Sequence, residues 1–286
     1  MSNLLQAILN ISSNNELDLE NYFKSRNKIN AVGDSLELFI KDSFCNSFNI
    51  PLNDKEIHVY PKFFSYEGNS NNPPDLILKD GDAIEVKKIE SLKTAIALNS
   101  SYPKAKIFAN DPMITNACRN CEDSWKVKDL IYTLGVVPKS QNRLKVLWFI
   151  YGDCFAADKE VYERIREGIC EGINQIMGIE FAETNELARV NKVDPLGITY
   201  LRVRGMWGIE NPINVYSYLD LDFDEGDNFQ MIAVMQENKY LSFPERTRQE
   251  LESLTSSKKL KIKDVQIKSP NNPAKLLNSK IIVYRR

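Results

Sequence analysis

Histidine is almost absent from this 286-residue sequence: His58 stands alone. His-based catalytic triads and His-rich metal sites are therefore poor candidates, and His58 is at most a lone base. Cysteine is scarce too. Five thiols are an odd number, too few for a disulfide framework at this length, and a reduced intracellular setting accounts for them. Only Cys118 and Cys121 have C-x-x-C spacing, and without a second ligand pair nearby, isolated thiols are a simpler reading than a zinc site. No long hydrophobic run exists either. The longest, Val146 to Tyr151, is far below the roughly 18 residues that span a bilayer, and the N-terminus lacks a secretory pattern. A cytoplasmic protein is expected. Glycine and proline, 12 each, are not in excess, and the hydrophobic (43%) and charged (27%) fractions are those of an ordinary globular chain. The expectation is a single domain over residues 1–286 whose chemistry rests on carboxylates and lysines.

Net charge is only −2, but it is unevenly spread. From Glu245 to Arg286 there are 11 Lys/Arg against 4 Asp/Glu, a local +7, which leaves −9 on the preceding residues. Such a basic C-terminal region fits either a phosphate-facing surface or a solvated Lys-rich one. Along the chain, Leu4, Leu5, Ile8 and Leu9 mark a short amphipathic helix, and Val32, Leu36, Phe39, Ile40 and Phe44 mark a second from about Ala31 to Phe44. The segment Asn69 to Pro74 reads as a loop. Lys145 to Tyr151 reads as a strand buried on both faces, and Trp125 to Leu134 as a helix. Asp158 to Met177 reads as a helix capped by Asp158, with Val161, Ile165, Ile169 and Ile173 four apart. Ile198 to Met206, Met231 to Met235 and Leu260 to Ile267 read as strands, with an acidic loop from Asp220 to Asp227. Ser242 to Glu245 resembles a capping box. Interspersed helices and strands imply an α/β (α+β) class, a mixed central sheet flanked by helices.

The most informative stretch runs from Pro74 to Lys88. Two apolar runs flank Lys79-Asp80-Gly81, so a tight β-hairpin is the natural reading. With the turn centred on Asp80, Leu78 faces Asp82, Leu76 faces Ile84 and Asp75 lies opposite Glu85. Opposed Cβ atoms are about 4.5–5.5 Å apart, close enough for both carboxylates to chelate one divalent cation. Alternation places Leu76, Leu78, Ile84 and Val86 on an inward apolar face and Asp75, Glu85 and Lys87 together on the other. Lys88 falls on the opposite face and is the weaker candidate amine. The trio suits metal-assisted phosphodiester hydrolysis: hard oxygens for Mg²⁺, and a lysine to orient or deprotonate water. An ordinary charged surface hairpin would show the same short pattern.

Pro74-Asp75 followed by Glu85-Val86-Lys87 resembles the PD-(D/E)xK nuclease signature. The chain is also similar to the NgoPII family of type II restriction endonucleases. That likeness runs through Asn30 to Glu37, Asn72 to Asp75, Glu85 to Lys88, Leu98 to Lys104 and Asp194 to Trp207. It implies a restriction-endonuclease-like fold and an Mg²⁺-dependent homodimer that cuts both strands of DNA at a short palindrome, with Asp75 and Glu85 as metal ligands and Lys87 as the water-orienting lysine. By position, Glu37 on the N-terminal helix is the matching candidate for a further metal ligand, and a solvated helix carboxylate is its ordinary alternative. A protective DNA methyltransferase would be the functional partner.

Sequence readout needs donors aimed at base edges, and arginine to guanine is the commonest such contact. Tyr200, Arg202 and Arg204 share one face of the expected strand Ile198 to Met206. They suit that role, or pairing with surface carboxylates. Asn99, Ser100, Ser101, Tyr102 and Lys104 form a second polar cluster for phosphates or bases. Arginine readout would fit a GC-rich site such as GGCC. The competing readings are a structure-specific repair or junction nuclease of the same fold and a non-catalytic DNA-binding protein.

Overall fold

The computed structural model describes residues 2–14, 17–19, 31–69, 72–139, 142–176, 180–182, 186–224, 226–257 and 259–286. Asn30, Ser70, Asn71, Met177 and Glu225 of the motifs above lie outside the described residues, as do the side chains of Val32 and Asn99. In chain order the strands of the main sheet and its neighbours are β1 (Phe64–Asn69), β2 (Asn72–Leu78), β3 (Ala83–Ile89), β4 (Ile96–Asn99), β5 (Lys106–Phe108), β6 (Val127–Val136) and β7 (Val146–Tyr151). They are followed by β8 (Glu180–Ala182), β9 (Ala188–Asn191), β10 (Leu201–Val203), β11 (Trp207–Ile209), β12 (Gln230–Gln236), β13 (Leu260–Lys268) and β14 (Leu276–Arg285). Four helices of nine residues or more stand among the described residues: α1 (Leu4–Ser13), α2 (Ala31–Cys45), α3 (Lys159–Asn174) and α4 (Glu245–Ser253).

The large sheet is mixed, as expected. Its order is β1-β2-β3-β6-β7-β12-β14-β13, with β5 added alongside β6. The β3/β6 and β7/β12 pairs are parallel and the others antiparallel. Two small sheets stand apart from it, β10-β9-β8 and β11-β4. β7 lies mid-sheet with every residue buried, because both of its faces are covered and an uninterrupted apolar run has no polar side to turn outward.

Trp125 to Leu134 is not a helix; from Val127 on it belongs to β6, between β3 and β7. The adjacent apolar residues Leu130, Ile131 and Tyr132 set no period of their own, and pairing on both edges decided it. The expected loop Asn69 to Pro74 is also shorter than anticipated. Asn72 already pairs with Asn69, so Asn72, Pro73 and Pro74 open β2, with a cis bond between the prolines. Asp158 occupies the N-cap position of α3 but makes no capping hydrogen bond. The capping box at Ser242 is absent too: Pro244 precedes α4, and the Ser242 hydroxyl donates to the Lys239 carbonyl. Of the long alternating strand Ile198 to Met206, only Leu201–Val203 is strand. Strands at Gln230–Gln236 and Leu260–Lys268 stand where expected.

Helices α1 and α2 pack on one another, and α2 lies on the sheet against β3. Leu36, Phe39, Ile40 and Phe44 of α2 are essentially inaccessible, each burial contributing about 1.5–3 kcal/mol. Gly135 of β6 allows this approach, since a Cβ there would sit 2.6 Å from a Leu36 methyl. Glu37, next to Leu36, is thereby carried to the sheet beside the hairpin. Three of the C-terminal cations meet the acidic loop: Lys263 pairs with Asp220 at 2.9 Å, Lys261 with Asp222, and Arg285 with Asp224 and Asp227 at 3.0 and 2.5 Å. Part of the +7 is thus offset within the chain. No helix among the described residues is long and apolar enough to cross a membrane.

Candidate active site

Strands β2 and β3 form the expected hairpin in the expected register. Leu76 pairs with Ile84 and Ile77 with Ala83. The Gly81 amide donates to the Leu78 carbonyl at 2.9 Å, and Asp80 takes a left-handed φ of 54° that an aspartate tolerates in a tight turn. The hairpin is no surface element, however. β3 is enclosed between β2 and β6, and Ile77 and Ala83 are as buried as Leu76 and Ile84. The face that carries Asp75, Glu85 and Lys87 is therefore covered as well where Ile77 and Ala83 stand. Only the ends of the two strands, around Asp75 and Val86 to Lys88, remain partly open.

Asp75, Glu85 and Lys87 do converge there. The Lys87 ammonium lies 2.5 Å from Glu85 Oε1 and 3.9 Å from Asp75 Oδ2. Asp75 Oδ2 also accepts a 2.6 Å hydrogen bond from the Val86 amide, which fixes the carboxylate across the hairpin. Lys88 points elsewhere and pairs with Glu90 at 3.5 Å.

The electrostatics of the trio are those of an acid pair short of positive charge. Burial and the nearby Glu85 push the Asp75 carboxyl up to about 7, despite Lys87 and the Val86 amide. Burial pulls on the Lys87 ammonium in the direction of neutrality, yet Glu85 and Asp75 outweigh it and its pKa is raised. Glu85 Oε2 is buried and accepts no hydrogen bond, a costly state for a carboxylate oxygen unless something cationic meets it. Hard oxygens, one orphaned, fit a divalent cation. No group of three or more His, Cys, Asp or Glu side chains suited to a metal occurs among the described residues. The Asp75/Glu85 pair suits an ion such as Mg²⁺, which takes one or two carboxylates and completes its shell with water and phosphate.

Glu37 reaches this site by charge: it acts on both Asp75 and Lys87. Its carboxylate is held by Lys41, one turn on, at 2.9 Å, and Lys41 also bridges to Glu67 of β1 at 2.8 Å. Sequence reasoning missed Lys41 and Glu67. The i, i+4 spacing of Glu37 and Lys41 was a usable signal; Glu67 offered none, because its approach depends on how β1 joins the sheet. His58 is exposed on a π-helical turn, Cys118 is buried and Cys121 half-buried.

The two segments singled out for DNA contact are brought together. β4 pairs with β11, with Asn99 opposite Trp207, so the segments at 99–104 and 198–207 meet at one short sheet. Ser100 is exposed and Ser101 half-buried. Tyr102 and Lys104 are instead buried. Tyr102 stacks on Tyr162 at 5.6 Å and donates to Glu163, while Lys104 pairs with Asp111 at 2.5 Å and lies 4.2 Å above the Tyr102 ring. Arg202 and Arg204 are exposed, and both close on one carboxylate. Arg202 donates to Glu186 at 2.8 and 2.5 Å and Arg204 at 2.6 Å, and the arginines hold Glu186 below its ordinary pKa. Tyr200 is exposed beneath Arg189, 4.7 Å from its guanidinium. Glu186 was not singled out from the sequence, and nothing in its neighbours' pattern marks it.

No solved structure matches this chain. A family model described as NgoPII restriction endonuclease matches residues 2–268. The chain is 49% identical over 283 residues, 99% of each sequence, to the type II restriction enzyme NgoPII of Neisseria gonorrhoeae. With that coverage and a paired-carboxylate hairpin within the matched span, the chain belongs to the NgoPII family of restriction endonucleases.

Proposed function

We propose that this restriction endonuclease hydrolyses both strands of double-stranded DNA at a short palindrome, using Mg²⁺ held by Asp75 and Glu85 and a water oriented by Lys87. The observation that carries the reading is the meeting of these three side chains at the open end of the β2–β3 hairpin, with Glu85 Oε2 left without a partner. When bound, the cation would neutralise the scissile phosphate and lower the pKa of a coordinated water. Lys87 keeps its proton in this setting, so its part is to donate to the attacking water and to charge developing on the phosphate, not to act as base. Asp75 and Glu85 serve as anchors, the former fixed by the Val86 amide. Glu37, tied to Lys41, would approach as a third carboxylate only by leaving that pair.

For recognition, Tyr200, Arg202 and Arg204 are the exposed donors, with Ser100 and Ser101 on the neighbouring segment. Tyr102 and Lys104 brace that segment from within. A GC-rich target such as GGCC suits arginine readout. A twofold dimer suits a palindrome, and a methyltransferase of matching specificity would protect host DNA in the cytoplasm. The whole chain would act as one nuclease domain.

The test is incubation of the protein with unmethylated plasmid in Mg²⁺, beside EDTA and a Lys87→Ala control, with the fragment ends mapped. Discrete fragments with one shared end sequence, lost in both controls, are expected. A smear, or cutting directed to branched substrates, would favour a structure-specific nuclease instead.

A further inference from the structure

Helix α3 is built the wrong way round for a helix that serves only its own chain. It is 16 residues long and amphipathic, yet none of its residues is buried. The side that meets the protein is mostly its polar and aromatic one, with Ile173 half-buried among it. Tyr162 stacks against Tyr102 and meets Trp207 edge-on, both at 5.6 Å, Glu163 accepts from Tyr102, and Arg166 and Cys170 donate to the carbonyls of Glu186 and Leu187. The apolar stripe faces solvent instead: Val161, Ile165 and Ile169 are 42%, 48% and 43% exposed, and Ile176 just beyond the helix is 52% exposed. Spacing at 100° per residue puts Gly168 and Gly172 on the same stripe. Among the described residues, a Cβ added at either would meet nothing within 4 Å. Glycine is unfavourable inside a helix, and no contact among the described residues requires it at these two positions.

We propose that this stripe is the surface through which two copies of the chain associate, α3 against α3 in antiparallel fashion about a twofold axis. The inference rests on the palindrome reading above and names the interface that reading needs. Three features select a second copy as the occupant. The branched residues supply apolar area that a lone chain leaves in water. The glycines leave room for another helix to approach closely. The flanking charges are self-complementary. Arg164 and Glu171 lie seven residues apart on one flank of the stripe, and an antiparallel twofold brings like flanks together. Arg164 of one copy then meets Glu171 of the other, twice over, with the crossing point near residues 167 and 168. A parallel arrangement does not bring these like flanks together. Because Tyr162 is packed on Tyr102 and Trp207, the same helix would set the spacing of the two sets of DNA-reading segments.

The test is the mass of the full chain in solution by sedimentation equilibrium, with and without a DNA duplex, in the absence of divalent cations. The wild-type chain is expected at twice 32.8 kDa. The double variant Ile165→Glu/Ile169→Glu, made at exposed positions, should associate at least tenfold more weakly. Arg164→Glu and Glu171→Arg should each weaken association severalfold, and the two combined should restore it, a rescue that damage to folding would not produce. A wild-type dimer that persists unchanged in Ile165→Glu/Ile169→Glu overturns this surface alone. A wild-type chain that stays monomeric with and without DNA overturns both the surface and the twofold reading. Absence of cleavage by a dimer that these substitutions disrupt would fail the nuclease reading and leave the interface standing.

Discussion

The charge balance around Asp75 makes the site sensitive to protons as well as to metal. Its carboxyl, held at about 7 by burial and by Glu85, binds a proton more tightly in the folded chain than in the unfolded one. At this group the metal-free protein is therefore most stable at pH below the unfolded value near 4, and that contribution is lost as pH rises to about 7. Cation binding at the proposed site would displace the same proton. Mg²⁺ or Ca²⁺ affinity should fall by up to about tenfold per pH unit below 7, and the rise in melting temperature produced by either ion should be larger at pH 8 than at pH 6. Calorimetric titration at the two pH values checks this; equal affinities would show that Asp75 is not a ligand. Much of this residue-scale picture was legible beforehand. A turn at Lys79-Asp80-Gly81 fixes the register, and register alone sets Asp75 across from Glu85. What was not legible is the bridge from Lys41 on to Glu67 and the capture of Arg202 and Arg204 by Glu186, since these depend on contacts across 26 and 16 or more residues of chain.

At the scale of elements, the approach of β1 to β2 is what shapes the wall behind Asp75. A Cβ on Gly68 would lie 2.5 Å from the Pro74 carbonyl oxygen and 3.0 Å from that of Asp75, and neither backbone atom can step aside. Gly68→Ala should therefore destabilise the fold by about 1–3 kcal/mol and reduce cleavage more than DNA binding, because it shifts the strand that carries Asp75. A melt and a paired binding and cleavage assay read this out; wild-type values in both would mean that β1 yields freely. Element type was readable where a period existed, as in α2 and β13. It was misread in β6, where Leu130, Ile131, Tyr132 and Leu134 crowd together without a clear period and only the partners β3 and β7 distinguish strand from helix. In α3 the stripe of Val161, Ile165 and Ile169 was visible as a helical pattern, but a sequence cannot say whether such a stripe faces inward.

For the molecule as a whole, the uneven charge seen in the sequence is a fold-level arrangement as much as a ligand-facing one. Asp220, Asp222, Asp224 and Asp227 take up Lys261, Lys263 and Arg285 from β13 and β14, so part of the basic cluster is matched within the chain. Those three cations should accordingly add little to the salt dependence of DNA binding. Lys263→Ala should leave the slope of log affinity against log salt nearly unchanged, whereas Arg202→Ala should cost about 1–3 kcal/mol on the cognate duplex and relax its sequence preference. A slope lowered by about 1 in Lys263→Ala would return the phosphate-facing role to the C-terminal region. The mixed central sheet followed from the interspersed helices and strands, and the position of β7 from its uninterrupted apolar run. The meeting of β4 with β11 did not, since it joins segments more than a hundred residues apart by four-residue and three-residue strands.

The most direct test of the account is a single-turnover comparison of Asp75→Asn, Glu85→Gln and Lys87→Ala with the wild-type chain on one cognate duplex, measuring binding in Ca²⁺ and cleavage in Mg²⁺. Each variant should bind the duplex within a few-fold of wild type and cleave it slower by about 10²–10³-fold or more. Cleavage by any of the three at the wild-type rate would contradict the assignment of the hairpin as the catalytic centre.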